Sequence, residues 1–380
     1  MSSTGIMGAI DHQDFAMRFR QSSVCLLLLI STSLALHAQT PAPATAPTAA
    51  TPAPAAPAYL SDPKFQAAMK EGKHFERQRK VDEALGDYKK ANKIAGGQSV
   101  DCLQAMYNAQ LALGSYKDAI ATAIAMEGLA TTPTAKAMAE YYRGNAILDQ
   151  GGEKPKPAQL EAAHAAFQQA IANSPKGAAA YYLDGQTLAK MGKMDEAKAD
   201  FMQCISCASP NDPARLRAQH FAENPALSTQ KMAPAFVVTA LDGSKFNLDA
   251  MGGRVVLIDF WATWCGPCNA ELPHIKKIAK EFAGQPLVII SVSWDSDDTK
   301  WKDFINKNEM TWMQYRDADH SLSNRFGIHS IPHYFTIDAD GVLTAEMLGE
   351  GSDVEGKLKK LVAKARQSQP AATVAQVGGN

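Results

Sequence analysis

The chain has 380 residues, a formal net charge of −1 and six cysteines. This length is typical of two domains with tails, and an apolar fraction of 46% is enough for ordinary hydrophobic cores. The nearly balanced charge gives no reason to expect binding to nucleic acid or to an anionic membrane surface, and six cysteines are too few for a disulfide-stapled scaffold.

Residues 1–38 have the pattern of a secretory signal peptide. Arg18 and Arg20 precede an uncharged apolar run over residues 24–36, and small residues follow it. This run of about 13 residues is shorter than a membrane-spanning helix requires. We therefore predict export to the periplasm or to another compartment outside the cytoplasm. The alternative is an uncleaved signal that anchors the protein in the membrane.

Two segments of different composition follow. Residues 39–60 are mostly Pro, Ala and Thr, which cannot bury a core and should form a semi-rigid linker. Residues 61–212 are rich in alanine with helical periodicity, and they repeat with a period of about 34 residues. The repeated positions hold small residues where two helices would cross and large residues that fill the gaps: Gly72, Ala84 and Tyr88, then Gly144, Ala163 and Phe167, then Gly185, Ala197 and Phe201.

This pattern resembles tetratricopeptide repeats, which implies helix pairs stacked into an all-α solenoid. The concave face of such a solenoid often binds an extended peptide or a partner helix. A peptide or protein ligand of the repeats is therefore one interpretation, and apolar positions that only form the core are the other. The second of the four units departs from the pattern, because Tyr107 and Ala123 occupy the positions expected to be small and aromatic.

Cys204 and Cys207 form a Cys-x-x-Cys in the last repeat. Residues three apart on a helix have Cβ atoms about 5–6 Å apart. A disulfide needs about 3.5–4.5 Å between Cβ atoms, so a regular helix disfavours a bond between these two cysteines. Fraying of the helix before Ser209-Pro210 would permit the bond, and a redox role for this pair is then the alternative.

The remaining chain has an α/β pattern. Residues 213–230 are predicted to be a linker, residues 231–366 a domain, and residues 367–380 a disordered tail. Within the domain we predict a hairpin over 231–248, strands over 255–260 and 287–292, and a second hairpin over 333–348. Helices are expected over 265–282, 299–308, 322–326 and 352–366.

A second Cys-x-x-Cys, Cys265 and Cys268, falls where the buried strand over 255–260 turns into a helix. Free backbone N–H groups and the positive end of the helix dipole stabilise a thiolate at such a place. Cys265 should therefore be the exposed attacking thiolate, and Cys268 the more buried resolving thiol. A zinc site uses the same spacing, but it needs further Cys or His ligands at matching spacing, and none follow.

The segment from Phe260 to Glu271, with Trp264-Cys265-Gly266-Pro267-Cys268 at its centre, resembles the active site of TlpA/ResA-type thiol–disulfide oxidoreductases of the thioredoxin superfamily. Ser330-Ile331-Pro332 is similar to their cis-proline loop. The resemblance implies a thioredoxin fold over residues 231–366, without a metal or organic cofactor. The implied site residues are as follows: Cys265, Cys268, Asp259 and Pro332 for catalysis; Trp264, Gly266, Pro267, Ile331 and His333 for substrate binding; and Glu271 for tuning.

Asp259 lies on an otherwise apolar strand and matches the buried acid of thioredoxins. A buried carboxyl has a raised pKa and can relay the proton of Cys268; a hydrogen-bonded structural aspartate is the alternative. Glu271 either favours the helix N-terminus or tunes the redox pair. Asp295 is a further acid near the site. His333 departs from the family, where Thr usually follows the proline, and its imidazole can stabilise the thiolate or narrow the substrate groove.

The resemblance implies a reductant of protein disulfides that takes electrons from a membrane-bound thiol donor, with apocytochrome c as a suggested client. Gly266-Pro267 favours this direction, because the dipeptide accompanies reducing potentials in the family. Two alternatives stay open at this point. The protein can oxidise or isomerise disulfides of secreted proteins, or it can be an interaction scaffold whose redox pair is secondary.

Overall fold

A computed structural model describes residues 57–210 and 212–368. The predicted signal peptide, residues 39–56 of the predicted linker and residues 369–380 of the predicted tail lie outside the described residues. The described residues form two compact units, one ending at Leu129 and the other beginning at Ala130. Within this described part, no helix combines the length and apolar character that crossing a membrane requires.

The first unit consists of two helix pairs after a 3-10 turn. Its helices are α1 (Pro63–Arg77), α2 (Val81–Ile94), α3 (Val100–Ala112) and α4 (Tyr116–Gly128). The Asp62 carboxylate caps α1 by accepting the backbone N–H of Lys64 at 2.7 Å. A Cβ at Gly72 of α1 would lie 2.5 Å from the Tyr88 ring of α2, so the glycine allows this close helix crossing.

The second unit continues the helix pairs. Its first helices are α5 (Pro133–Gly151), α6 (Pro157–Asn173), α7 (Ala178–Lys190), α8 (Met194–Cys207) and α9 (Pro213–Glu223). The crossing seen in the first unit recurs here. A Cβ at Gly144 would lie 2.6 Å from the Phe167 ring, and one at Gly185 would lie 2.8 Å from the Phe201 ring. The recurrence fits the predicted repeat solenoid.

In the second repeat, which departs from the pattern, the large and the small residue have changed places between the two helices, and both positions are still buried. Tyr107 on α3 is 1% exposed, and Ala123 on α4 is fully buried. A large residue on the first helix therefore accompanies a small one on the second, which is the reverse of the other pairs. Such an exchange conserves total volume, and cores tolerate volume-conserving changes best.

The segment over residues 213–230, predicted as a linker, contains helix α9 and a 3-10 helix at Pro225–Thr229. Helix α9 packs against α8, and the 3-10 helix packs against α7. Arg217 of α9 forms a buried ion pair with Asp249, which lies in the 3-10 helix after strand β2 (Lys245–Asn247). The domain boundaries themselves stay a prediction.

The C-terminal part of this unit has a five-stranded sheet. Its strands are β3 (Val255–Trp261), β4 (Leu287–Ser293), β5 (Met313–Arg316), β6 (His333–Ile337) and β7 (Leu343–Leu348), in the order β5-β4-β3-β6-β7. The β3–β4 and β4–β5 pairs are parallel, whereas the β3–β6 and β6–β7 pairs are antiparallel. Strand β1 (Val237–Thr239) pairs with β2 as a separate hairpin. The helices are α10 (Gly266–Glu281), α11 (Asp298–Lys307), α12 (Ser321–Arg325) and α13 (Val354–Ser368). The predicted α/β thioredoxin fold after helical repeats is confirmed.

Strand β3 is buried along its whole length, with side chains alternating between two faces of the sheet. Val256, Ile258 and Phe260 pack into one apolar cluster. Val255 and Leu257 point to the opposite face, where residues of α10 and α13 cover them. By alternation, Asp259 shares this second face, and the strand therefore carries a carboxyl group into the layer below α10.

Candidate active site

Cys265 and Cys268 are joined by a disulfide at the N-terminus of α10. Cys265 is the N-cap residue, and the backbone N–H of Cys268 donates to Cys265 Sγ at 3.2 Å. Gly266 and Pro267 are the first two residues of the helix, and both are exposed. Because the first helical N–H groups have no intrahelical partner, negative charge on Cys265 Sγ is stabilised at this position.

The sequence predicted that Cys265 is more exposed than Cys268, and this prediction is wrong for the disulfide-bonded protein. Both residues are 6% exposed. They belong to an apolar cluster with Trp261, Trp301 and other side chains, which surrounds the pair. In contrast, Trp264 immediately before Cys265 is 65% exposed.

The loop opposite the disulfide contains the predicted cis-proline. The Ile331–Pro332 peptide bond is cis, as the sequence predicts. The carbonyl oxygen of Ile331 lies 3.9 Å from Cys265 Sγ. The loop backbone is thus directly beside the first sulfur.

Asp295 anchors the turn that precedes the cysteines. Its Oδ2 accepts the backbone N–H of Thr263 at 2.9 Å, and its Oδ1 accepts the Thr263 hydroxyl at 2.6 Å. Asn269 donates to the Thr263 carbonyl at 3.0 Å from the other side. The sequence indicated Asp295 only as a nearby acid. Its bonds to a turn 32 residues away are visible only in the structure.

Asp259 is 5% exposed and accepts a hydrogen bond on Oδ2 from the Ser291 hydroxyl at 2.9 Å. Burial raises the pKa of the Asp259 carboxyl to about 7, against the opposing effect of the Ser291 hydrogen bond, and the charge of Glu271 raises the pKa further. The predicted buried acid is therefore present, with a pKa suited to proton transfer near neutral pH. Ser291 itself accepts from Trp312 Nε1 at 2.8 Å, and no sequence pattern had indicated either residue.

Glu271 is a buried residue of α10 with two partners. Its Oε1 accepts the backbone N–H of Gly351 at 2.8 Å, and its Oε2 lies 3.1 Å from Nδ1 of His274. The carboxylate thus ties α10 to the loop before α13. Its charge also acts on Asp259, so a structural and an electrostatic effect coexist at this position.

His333, predicted to contact substrate, is directed toward strand β7. Its Nε2 lies 3.0 Å from Oε1 of Glu346, and its ring stacks on Phe335 at a centroid distance of 5.0 Å. Burial lowers the pKa of the His333 imidazole, and Glu346 opposes this effect. The Ser330 backbone, in the cis-proline loop, also acts on the imidazole.

The other cysteines of the described residues carry free thiols. Cys204 and Cys207 lie within helix α8 and are not bonded to each other, as the helical spacing predicts. Burial raises the pKa of the Cys204 thiol to about 12 and that of Cys102 to about 11, which makes both thiols unreactive near neutral pH. In residues 57–210 and 212–368, no cluster of three or more His, Cys, Asp and Glu side chains has a geometry that holds a metal ion.

A disulfide that caps the helix after the central strand, next to a cis-proline loop, defines a thiol–disulfide oxidoreductase of the thioredoxin class. Comparisons with known proteins narrow this class. The Redoxin family matches residues 227–362. The thiol–disulfide oxidoreductases ResA of Bacillus thuringiensis and Bacillus anthracis are each 32% identical to this chain over 143 residues, which span 37% of this chain and 83% of the relative. Through its C-terminal domain, the chain therefore belongs to the ResA family of thiol–disulfide oxidoreductases.

Among solved structures, the thioredoxin domain of a thiol–disulfide oxidoreductase from Bacteroides vulgatus is similar. It is 28% identical and covers 35% of this chain and 97% of that domain, with a TM-score of 0.32. The likeness extends over the C-terminal domain, and the activity assigned by family membership belongs to that domain.

Proposed function

We propose that the protein is exported and reduces disulfides of client proteins outside the cytoplasm. The observation that carries the proposal is the position of Cys265 Sγ. It accepts a helix-terminal N–H and lies 3.9 Å from the cis-proline loop, so it is both stabilised as a thiolate and placed beside a docking backbone.

The reaction uses the two sulfurs in turn. In the reduced protein, the Cys265 thiolate attacks one sulfur of the client disulfide, that bond breaks, and the other client sulfur leaves as a thiolate that takes a proton from water. Cys268 then loses its proton and attacks Cys265 Sγ. The bond between Cys265 and the client breaks, the second client sulfur leaves as a thiolate, and the protein is left with its own disulfide.

Asp259 is the proposed acceptor of the Cys268 proton. It lies on the face of β3 that α10 covers, and its carboxyl feels the charge of Glu271, which is one turn beyond Cys268 on that helix. Glu271 is the proposed tuning residue, through this charge. A carboxyl group with a pKa of about 7 is ionised often enough near neutral pH to accept a proton and is basic enough to hold it.

Client recognition is assigned to the surface around the disulfide. The exposed Trp264 side chain supplies an apolar contact, and Gly266-Pro267 leaves the helix start accessible. Ile331 and Pro332 present loop backbone to an extended client segment, and His333 borders this loop. The proposed clients include apocytochrome c during haem attachment. A membrane-bound thiol donor restores the dithiol after each reaction. The helical repeats bind a peptide or protein ligand.

The direction of electron flow is tested by the redox midpoint of the Cys265–Cys268 pair. We expect a value near that of thioredoxin, about −270 mV, in dithiothreitol or glutathione buffers. Tryptophan fluorescence can follow the equilibrium, because Trp261 packs in the same cluster as both cysteines. A midpoint near that of DsbA, about −120 mV, would instead make the protein an oxidant or isomerase and overturn the proposal.

The proton-transfer role is tested on the resolving step alone. A mixed disulfide is formed on Cys265 with a small thiol, and its decay is followed against pH. In the unchanged protein the rate rises as pH passes through about 7, because Asp259 becomes ionised. Asp259→Asn should abolish that rise and slow the decay about 100-fold at neutral pH. Equal rates in both proteins across the pH range would reject the role.

A further inference from the structure

A chain of two hydrogen bonds ends on the buried acid below the disulfide. Trp312, which directly precedes strand β5, donates from Nε1 to Ser291 Oγ at 2.8 Å, and Ser291 on strand β4 donates to Asp259 Oδ2 at 2.9 Å. Strand register brings the last two together, because Ser291 is the partner of Asp259 in the parallel β3–β4 pair. Ser291 is fully buried, so no bulk water replaces either bond.

The chemistry of the three groups gives this chain one direction. An indole N–H can only donate, so Ser291 Oγ must accept from Trp312. The serine hydroxyl has a single proton, and the indole bond orients it so that this proton points at Asp259. A carboxylate only accepts hydrogen bonds, so an O–H donor held in this orientation favours the ionised form of Asp259.

We propose that Ser291 is a positioning residue for thiol–disulfide exchange, and that Trp312 acts through it by orienting the serine hydroxyl toward Asp259. The proposal rests on the proton-acceptor role of Asp259 given under Proposed function. It extends that role by naming the groups that set the pH at which the acceptor becomes ionised. Both residues act on the reaction through Asp259, and Trp312 also packs against the apolar cluster around the disulfide, as Trp301 does.

Other groups around Asp259 oppose this effect or leave it unchanged. Glu271 on α10 places negative charge near Asp259 and favours its protonated form. Tyr334 on β6 is the antiparallel register partner of Asp259 and is 1% exposed. Burial raises the pKa of the Tyr334 phenol far above its ordinary value, so it stays neutral through the working pH range. Ser291 is thus the donor that offsets burial and the charge of Glu271.

The test compares Ser291→Ala and Trp312→Phe with a matched control, Trp301→Phe. Trp301 packs in the same cluster as the cysteines, and within the described part of the chain its Nε1 has no hydrogen-bond partner. The control therefore repeats the loss of an indole near the disulfide without removing a bond that leads to Asp259. Ser291→Thr retains the hydroxyl and serves as the conservative rescue.

Two readouts are measured on each full-length variant. One is the ionisation of Asp259, from its carboxyl infrared band, assigned by its loss in Asp259→Asn. The other is the pH dependence of mixed-disulfide decay on Cys265. Ser291→Ala should move both midpoints upward by about one pH unit, because hydrogen bonds to charged groups have this strength. Trp312→Phe should move them upward by less, and Trp301→Phe and Ser291→Thr should leave them near the original pH.

The outcomes separate this inference from the function on which it rests. If Asp259 ionises at the same pH in Ser291→Ala and in the unchanged protein, the inference is overturned. An equal upward movement in Trp301→Phe and Trp312→Phe would also overturn the part assigned to Trp312. If the infrared midpoint moves and the decay profile does not, Ser291 sets the ionisation of Asp259, but the proton-transfer role of Asp259 fails, and with it the part of Ser291 in disulfide exchange. If Ser291→Ala does not fold, the comparison of Trp312→Phe with Trp301→Phe still tests the inference.

Discussion

Burial of Asp259 at the centre of β3 affects stability as well as chemistry. The pKa of its carboxyl is about 7 in the folded protein, raised mainly by burial, whereas the ordinary value is 3.8. Between these two pH values the folded state holds a proton that the unfolded state has lost. Stability from this residue is therefore present below about pH 4, is lost progressively as pH rises toward 7, and does not fall further above it.

Replacement by asparagine removes that dependence. We expect Asp259→Asn to become more stable relative to the unchanged protein as pH rises from about 4 to about 7, with a gain of up to about 4 kcal/mol above pH 7. Urea unfolding at several pH values measures this difference. Asp242→Asn is the matched control, since this carboxyl is exposed. A constant difference between Asp259→Asn and the unchanged protein across that range would contradict the folded-state pKa.

Burial of Asp259 thus lowers stability near neutral pH and also gives the carboxyl the pKa that the proposed proton transfer needs. A carboxyl group that accepted more hydrogen bonds would be less costly to bury, but its pKa would be too low for it to hold the proton of a thiol. Ser291 supplies one donor to Asp259, and this partial satisfaction leaves the pKa near neutral. The pKa of this acid is therefore set mainly by burial, which its one donor offsets only in part.

At the scale of the helices, the α1–α2, α5–α6 and α7–α8 pairs each depend on a close crossing at one glycine. Glycine lets an aromatic ring of the second helix lie against the backbone of the first, as Tyr88 does at Gly72. The aromatic ring then fills the space between the two helices, and its burial supplies much of the stability of the pair. The helical repeat can be recognised in the sequence because these contacts recur along the chain.

A pair of glycine substitutions tests this packing. Gly72→Ala would place a Cβ 2.5 Å from the Tyr88 ring, so we expect a loss of about 1–3 kcal/mol from overpacking. Gly86→Ala, on the exposed side of α2, meets nothing within 4 Å and should gain about 0.5–1 kcal/mol from helix propensity. Thermal unfolding of the full chain compares the two. Equal effects of the two substitutions would show that the crossing is not tight.

The strand-to-helix turn is the second element on which the site depends. Asp295 holds Thr263 by two hydrogen bonds, and Asn269 holds the same residue from the helix. The turn therefore presents Cys265 in a constrained backbone conformation at the start of α10. An N-terminal helix site is useful for a thiolate only if the sulfur stays beside the free N–H groups, and these bonds keep it there.

At the scale of the second compact unit, one buried ion pair joins helix α9 to the segment that follows β2. Arg217 and Asp249 side chains are 3% and 6% exposed, and their closest atoms are 2.7 Å apart. A buried ion pair gives little net stability, because desolvation offsets attraction, but breaking one side leaves an uncompensated charge. Breaking the link between α9 and the 3-10 helix after β2 on one side should therefore cost more than removing both charges.

This pair leads to a prediction with a non-additive outcome. Arg217→Met should destabilise the protein by about 3–5 kcal/mol, because Asp249 stays buried without this partner. The double variant Arg217→Met, Asp249→Leu should recover most of that loss, since no buried charge is left. Urea unfolding of the single and double variants measures the coupling. Losses that simply add, or an unaffected single variant, would contradict the buried-pair interpretation.

The chemistry of this protein was largely predictable from short stretches of sequence. The Cys265–Cys268 pair at a strand-to-helix turn is visible locally as a motif at fixed spacing, and the buried acid at Asp259 as an interruption of an apolar pattern. The cis-proline at Pro332 was implied by the resemblance of its loop to the family. The helical repeats were visible for a related reason, because they recur along the chain. Local periodicity and fixed spacing are properties that a sequence displays directly.

The support around that chemistry was decided only by the tertiary structure. Hydrogen bonds join Ser291 to Asp259, Asp295 to Thr263 and Asp249 to Arg217, each across 32 residues. Trp312 bonds to Ser291 across 21 residues. Sheet register and helix packing create these bonds, and a lone serine or aspartate in a sequence carries no sign of its partner. The equal burial of both cysteines has the same origin, because exposure depends on everything that packs around a residue, and most of those neighbours are distant in sequence.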